Sequence, residues 1–378
     1  MANDKDFILK NAVEVGGPTK VTLGTITSSD IDLSTGNYFS DTLASNTTYT
    51  ISNAGDVQAF QLEVTGGASG YNLANADYDS VSFDPTAQTS TSMLRLTLSA
   101  DGTKMYVSNF TTWFQYSLST AWDISTASYD SKSFNPTEAG TVRGMRFKPD
   151  GTKIYVMTSS EDAIFQYSLS TAWDISTASY DSKSLDVSGQ EGTPLGLEFK
   201  IDGTSLYVSG NDFGGDVYQY DLSTAWDVST GSYASKTLDT SAQDGVPQGL
   251  FFNPDGTELF MVGNGTDTIY KYDLSTAWDL STASYASVSF SVASQDTAPA
   301  EVIFKSDGTK MYIAGTQSDE VYQYSTFTGV TLTWPSSIEW AGGVSPAAPA
   351  NGETDVFTIT TDDGGTTYTG VKTADNLS

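Results

Sequence analysis

Phe110 and Trp113 stand in a polar stretch, SNFTTW (108–113), that occurs once in the chain. Aromatic side chains in such a setting stack on sugar rings or anchor protein contacts. Asp212, Phe213, Asp267 and Asp319, with the trio Gln190, Gln243 and Gln295, fall in stretches of comparable character and would add polar contacts to the same ligand. These residues are the candidate binding set. Trp122, Trp173, Trp226 and Trp278 could pass for a ligand cage, but each sits in a copy of one repeated loop, STAWD, which marks them as packing residues.

Other chemistries are closed off by composition. The chain has no cysteine and no histidine, so disulfides, thiolate or imidazole metal sites and Ser-His-Asp triads are excluded. Asp-Gly-Thr occurs at Asp101, Asp150, Asp202, Asp255 and Asp307. A calcium loop needs oxygen ligands at alternate positions and a distal Glu. KPDGTK (148–153) has neither, so turns are expected and no metal. None of the 46 acidic residues stands out from the repeat as a glycosidase pair would, so no enzymatic activity and no cofactor are expected. A net charge of −29 without a basic cluster argues against nucleic acid as a partner. MANDKDFILKNAVEVGG (1–17) lacks the pattern of a signal peptide. No apolar run reaches the roughly 18 residues of a membrane span, so synthesis in a cytoplasm without membrane insertion is expected.

The elements that position the candidates are repeats. The Asp-Gly markers, a Tyr-rich triplet (114–116, 165–167, 218–220, 270–272, 322–324) and a strand-opening Tyr (78, 129, 180, 233, 285) recur at spacings of 49 to 53 residues. Such periods indicate propellers or solenoids. Each unit reads as four strands. Strand A (GMRF, GLEF, GLFF) meets strand B (KMYVS, KIYVM, SLYVS) through the Asp-Gly turn; strand C (FQYSL, VYQYDL) runs through STAWD into strand D (YDSKSF). Four antiparallel strands repeated five times predict a five-bladed β-propeller over 69–327. Strand 78–83 is expected to complete the blade of 322–325 and shut the ring. Strand alternation then separates two ends. Asp-Gly turns and STAWD loops share the repeating end. The divergent B–C and D–A loops, with the candidate set, share the other, and a divergent face can serve recognition.

FKPDGTKIYV (147–156) and FNPDGTELFMV (252–262) resemble the signature of YVTN/TolB-like propellers. That resemblance implies the fold and leaves function open. The flanks resemble a second family. IDLSTGNYF and QAFQLEVTG, joined to VTLTWPSSIEWAGG and TDVFTITT, look like a β-domain of bacteriophage tail-fibre and other virion proteins. There the two halves are almost contiguous; here about 260 residues intervene. The expected organisation is therefore an N-terminal arm (1–17), a discontinuous β-sandwich (18–68 and 328–378) for docking on the virion, and the inserted propeller, whose fifth STAWD loop is expected to be missing because the β-sandwich occupies its place. The resemblance implies a non-enzymatic virion structural protein of tail or tail-fibre type, present in many copies and exposed on the particle. Its partners would be other virion proteins and a host-surface glycan or receptor. A capsid decoration protein or head fibre is the alternative, and a glycan-degrading tailspike enzyme the second.

Overall fold

The computed structural model describes residues 21–43, 47–66, 68–90, 95–326, 328–349 and 353–377. The proposed arm, 1–17, lies outside them. The chain is all-β and divides into two compact units, one of residues 70–327 and one that combines 1–69 with 328–378.

The larger unit holds five four-stranded antiparallel sheets among the described residues. The first runs Arg95–Leu98, Lys104–Ser108, Trp113–Leu118 and Ala127–Phe134; the next three repeat this order within 142–186, 194–239 and 247–291. The fifth takes Pro299–Phe304, Lys310–Gly315 and Val321–Ser325, and its fourth strand is Asp77–Phe83 from the start of the unit. Second strands such as Met105-Tyr106-Val107 are buried on both faces because sheets pack against them from either side. Fourth strands alternate and lie at the periphery. Each carries a bulge at a serine with positive φ: Ser80, Ser131, Ser182, Ser235 or Ser287.

Side chains join each sheet to the next. Tyr106, Tyr155 and Tyr207 donate to the carbonyls of Trp173, Trp226 and Trp278 at 2.7, 2.8 and 2.7 Å. Tyr312 of the fifth sheet donates to Trp122 O of the first at 2.5 Å. Buried Gln115, Gln166, Gln219 and Gln323 accept from the backbone N–H of Ile175, Val228, Leu280 and Ile124 in the same cyclic order. The fourth sheet has Phe260 in place of the tyrosine, and that ring stacks 5.9 Å from Tyr71.

Tyr71 corrects one expectation. The fifth STAWD loop is not wholly absent: Tyr71-Asn72-Leu73 takes the part of Trp-Asp-Ile. Tyr71 has φ of 60°, against 64° to 66° for the four tryptophans, and its N–H reaches Gly308 O at 2.7 Å as theirs reach the other Asp-Gly glycines. A 3₁₀ turn, Leu73–Asn75, follows it as Ile124–Thr126 follows Trp122.

The second unit is built from both flanks. Gln58–Thr65 runs antiparallel to Thr354–Thr361, with Leu62 opposite Phe357 and Phe60 opposite Ile359. Tyr38–Thr42, Tyr368–Leu377 and Ile338–Trp340 complete a mixed five-stranded sheet. Phe39, Leu62, Val64, Trp334, Trp340 and Phe357 form its core. Ala68–Ser69 pairs antiparallel with Thr328–Gly329 where the chain leaves this unit and returns.

Candidate functional site

The turn end of the five sheets is consumed by its own packing. In every Asp-Gly-Thr turn the Asp Oδ1 accepts from the Thr N–H, at 2.9 or 3.0 Å, and the glycine takes φ between 69° and 74°. The indoles of Trp122, Trp173, Trp226 and Trp278 lie directly over those glycines, where even a methyl group would collide with them. Phe147, Phe199 and Phe252 pack against the last three rings at 4.8, 5.4 and 5.1 Å between centroids. Together they line a cavity of about 270 Å³ whose walls also include Arg146 and Glu198.

The place where the five sheets meet is filled by charge that the repeat pattern by itself did not signal. The chain has three arginines, Arg95, Arg143 and Arg146, and all lie on the first strands of the first two sheets or beside them. Arg95 is wholly buried and donates to all four other sheets: to Arg143 O, to Leu195 O at 2.6 Å, to Gln248 Oε1 at 2.7 Å and to Ala300 O. Burial pushes its guanidinium down to about 10, against the opposing pull of Glu301. Arg146 binds Glu198 Oε2 at 2.9 Å and Glu301 Oε1 at 3.0 Å, and donates to Leu250 O at 3.0 Å. Burial opposes the charge of Arg146, but the two carboxylates outweigh it and hold the group above its ordinary value. A signal existed: Arg95 and Glu301 occupy the strand position that is Gly144, Gly196 and Gly249 in the other repeats.

At the loop end the candidate set divides. Gln190, Gln243 and Gln295 accept from the hydroxyls of Tyr220, Tyr272 and Tyr324, each at 3.2 Å; Gln88 and Glu138 do the same for Tyr116 and Tyr167 at 2.8 and 2.9 Å. The trio thus belongs to a fivefold brace between each D–A loop and the following sheet, and its side-chain carbonyls are not held free for a ligand.

The acids beside that trio were missed. Glu191, Asp244 and Asp296 are buried, and each takes the space beside a glycine at the end of a second strand: Gly210, Gly263 or Gly315. Each also fastens the neighbouring B–C loop. Glu191 Oε1 accepts from Asp212 N at 3.1 Å, Asp244 Oδ2 from Thr266 Oγ1 at 2.7 Å, and Asp296 Oδ2 from Ser318 N at 2.8 Å. Burial foremost, with Asp212 and Asp216 nearby, pushes Glu191 up to about 6 against the hydrogen bonds it accepts.

Asp212 is part of the same fastening, accepting from Gly192 N at 3.1 Å and Thr193 Oγ1 at 3.2 Å. Asp267 and Asp319 hold the left-handed conformation, φ 53° and 57°, at a turn where the third repeat has Gly215. Asp tolerates that region where most residues do not, which accounts for both without a ligand. Asp267 is also raised from its ordinary value, by burial first and then by Asp296 and Asp244. Phe213 falls in the 3₁₀ turn Asp212–Gly214, and its side chain is outside the described set.

Trp113 requires a correction. It is 0% exposed, paired across the strand ladder with Ser108 and Phe134 and packed in one core cluster with Tyr106, Ala139 and Val142. A ring filled in on all sides cannot stack on a ligand. Phe110 is the member that faces solvent, at 45% exposure, and its carbonyl accepts from Val142 N at 2.9 Å. Among the described residues no group of three or more acids is arranged to hold a metal ion.

No family model and no curated protein matches the chain. Solved structures similar to it include a provisionally assigned 6-phosphogluconolactonase from Bacteroides uniformis, at 15% identity and a TM-score of 0.40, covering 62% of this chain and 70% of that one. Another from Bacteroides fragilis has 14% identity and a TM-score of 0.36, covering 53% and 55%.

Proposed function

We propose that the chain is a non-enzymatic structural protein of a bacteriophage virion, of tail or tail-fibre type. In this reading the larger unit is a five-bladed β-propeller inserted into a β-sandwich that docks on the particle, and its loop end recognises a glycan of the host surface. The fold is supported by the cyclic order of the Tyr–Trp carbonyl and Gln–backbone hydrogen bonds, which lead from the fifth sheet back to the first. The virion reading rests on the resemblance of the flanking strands. The observation that carries recognition is an asymmetry between the ends. Trp and Asp-Gly are locked together identically at one end, while loop sequence diverges at the other, where Phe110 is left in solvent. Weak sites of this kind gain avidity when many copies sit on one particle.

The test is adsorption of the purified protein to host cells. Phe110→Ser should lower adsorption at least about fivefold with an unchanged melting temperature, as expected for an aromatic anchor worth about 1–3 kcal/mol. Trp113→Ser should instead lower the melting temperature. Wild-type adsorption by the Phe110 variant would remove the loop end from the reading. Release of reducing sugar from host polysaccharide would favour the tailspike enzyme instead.

A further inference from the structure

Arg143 is the one arginine that the network between the sheets leaves unpaired. Its Nε donates to Ser159 Oγ at 2.9 Å, and no described carboxylate forms an ion pair with it, although the chain carries 46 acidic residues. Arg95 and Arg146, by contrast, have their hydrogen bonds supplied by carbonyls and carboxylates. The position is not one where a cation is needed for packing: the equivalent residues in the next three repeats are Leu195, Gln248 and Ala300. The side chain is only partly buried, yet burial lowers its guanidinium from the ordinary value with no acid to counter it.

The place of Arg143 in the fold adds a second observation. It follows Val142, whose N–H is bonded to Phe110 O, so the unpaired guanidinium and the exposed aromatic are carried by neighbouring backbone at the loop end. A planar guanidinium whose terminal nitrogens have no partner among the described residues suits a two-oxygen anion, and an exposed aromatic residue on the adjoining backbone suits the apolar face of a sugar. The net charge of −29 repels a densely charged polymer, so one well-placed anionic group per binding unit is favoured over a polyanion.

We infer that Arg143 and Phe110 form an anion-selective saccharide site, which takes a sugar bearing a single carboxylate or sulfate beside otherwise neutral sugars. The inference rests on the recognition reading above and specifies its ligand. It also makes Arg143 the residue that discriminates acidic from neutral glycans.

The experiment presents the full chain to a glycan array carrying carboxylated, sulfated and neutral oligosaccharides, in parallel with adsorption to host cells. Retention is expected on acidic glycans only, and the carboxylated and sulfated arms identify the anion. Arg143→Gln should weaken it at least tenfold without changing the melting temperature. Arg143→Lys, which keeps the charge and loses the fork, should retain part of it. Binding of neutral glycans as well as acidic ones, binding of none, or wild-type binding by Arg143→Gln would each overturn the site. If Phe110→Ser loses cell adsorption while Arg143→Gln keeps it, the anion site falls and recognition by the loop end stands. If the wild-type protein does not adsorb to cells but the array shows Arg143-dependent acidic binding, the site stands and the host reading falls.

Discussion

Glu191 shows how a single side chain at the loop end is bought into the fold at a pH-dependent cost. It is 0% exposed, its Oε1 accepts from Thr193 N at 2.8 Å and Asp212 N at 3.1 Å, and its Oε2 has no partner. With its value raised to about 6 from an ordinary 4.5, the folded state holds the proton more tightly than the unfolded chain. Its contribution to stability is therefore fully present below about pH 4.5 and is lost as pH rises through about 6. Glu191→Gln keeps the accepting oxygen, removes the buried charge and turns an NH₂ toward acidic neighbours. The variant should be more stable than wild type by about 1–2 kcal/mol at pH 7 and nearly equal to it at pH 4.5. Urea unfolding of both proteins at the two pH values checks this. A variant less stable at pH 7 would mean that the charge itself is needed.

Strands from distant parts of the chain are the decisive elements of the smaller unit. Its central ladder joins Gln58–Thr65 to Thr354–Thr361, and neither flank has that ladder alone. The exit and return strands already face each other, Ser69 opposite Thr328, at the spacing of a hairpin. Replacing 70–327 with Asn-Gly should therefore close a two-residue hairpin and leave a folded domain. Cooperative thermal unfolding, with near-ultraviolet dichroism from Trp334 and Trp340 in the core, is the expected result. A product without a transition would show that the flanks do not fold without the larger unit. Most of these strands were legible as alternating runs such as QAFQLEVT. Tyr38–Thr42 was harder to read, because its Ser, Asp and Thr resemble a loop. It is a strand because it lies parallel to Gln58–Thr65, with Phe39 beside Leu62 in the core.

At the scale of the whole larger unit, one arginine reaches every sheet but its own. Removing Arg95 strips donors from Arg143 O, Leu195 O and Ala300 O and leaves Glu301 with one positive neighbour fewer. Arg95→Met should cost on the order of 3–5 kcal/mol, because it leaves several buried carbonyls without a donor, each at a cost of about 1–3 kcal/mol. Denaturant unfolding measures it, and a loss below about 1 kcal/mol would mean that the carbonyls find other donors at little cost.

Periodicity alone determined the repeat, the Asp-Gly turns, the packing role of the STAWD tryptophans and the strand 78–83 that pairs with 322–325, because local turn chemistry and two-residue alternation are written in contiguous residues. Contiguous residues did not determine which side chains are free. Gln190, Gln243 and Gln295 looked available until tyrosines from the following sheets closed on them, and Trp113 looked exposed until Ala139 and Val142 covered it. The converse holds for Arg95, Arg143 and Arg146. The acceptors of Arg95, and the carboxylates of Arg146, lie in other sheets, up to 205 residues away for Arg95 and Ala300, whereas Arg143 meets only Ser159 of its own repeat, so only the packing of those sheets decided which arginines are pinned and which one keeps its terminal nitrogens unbonded.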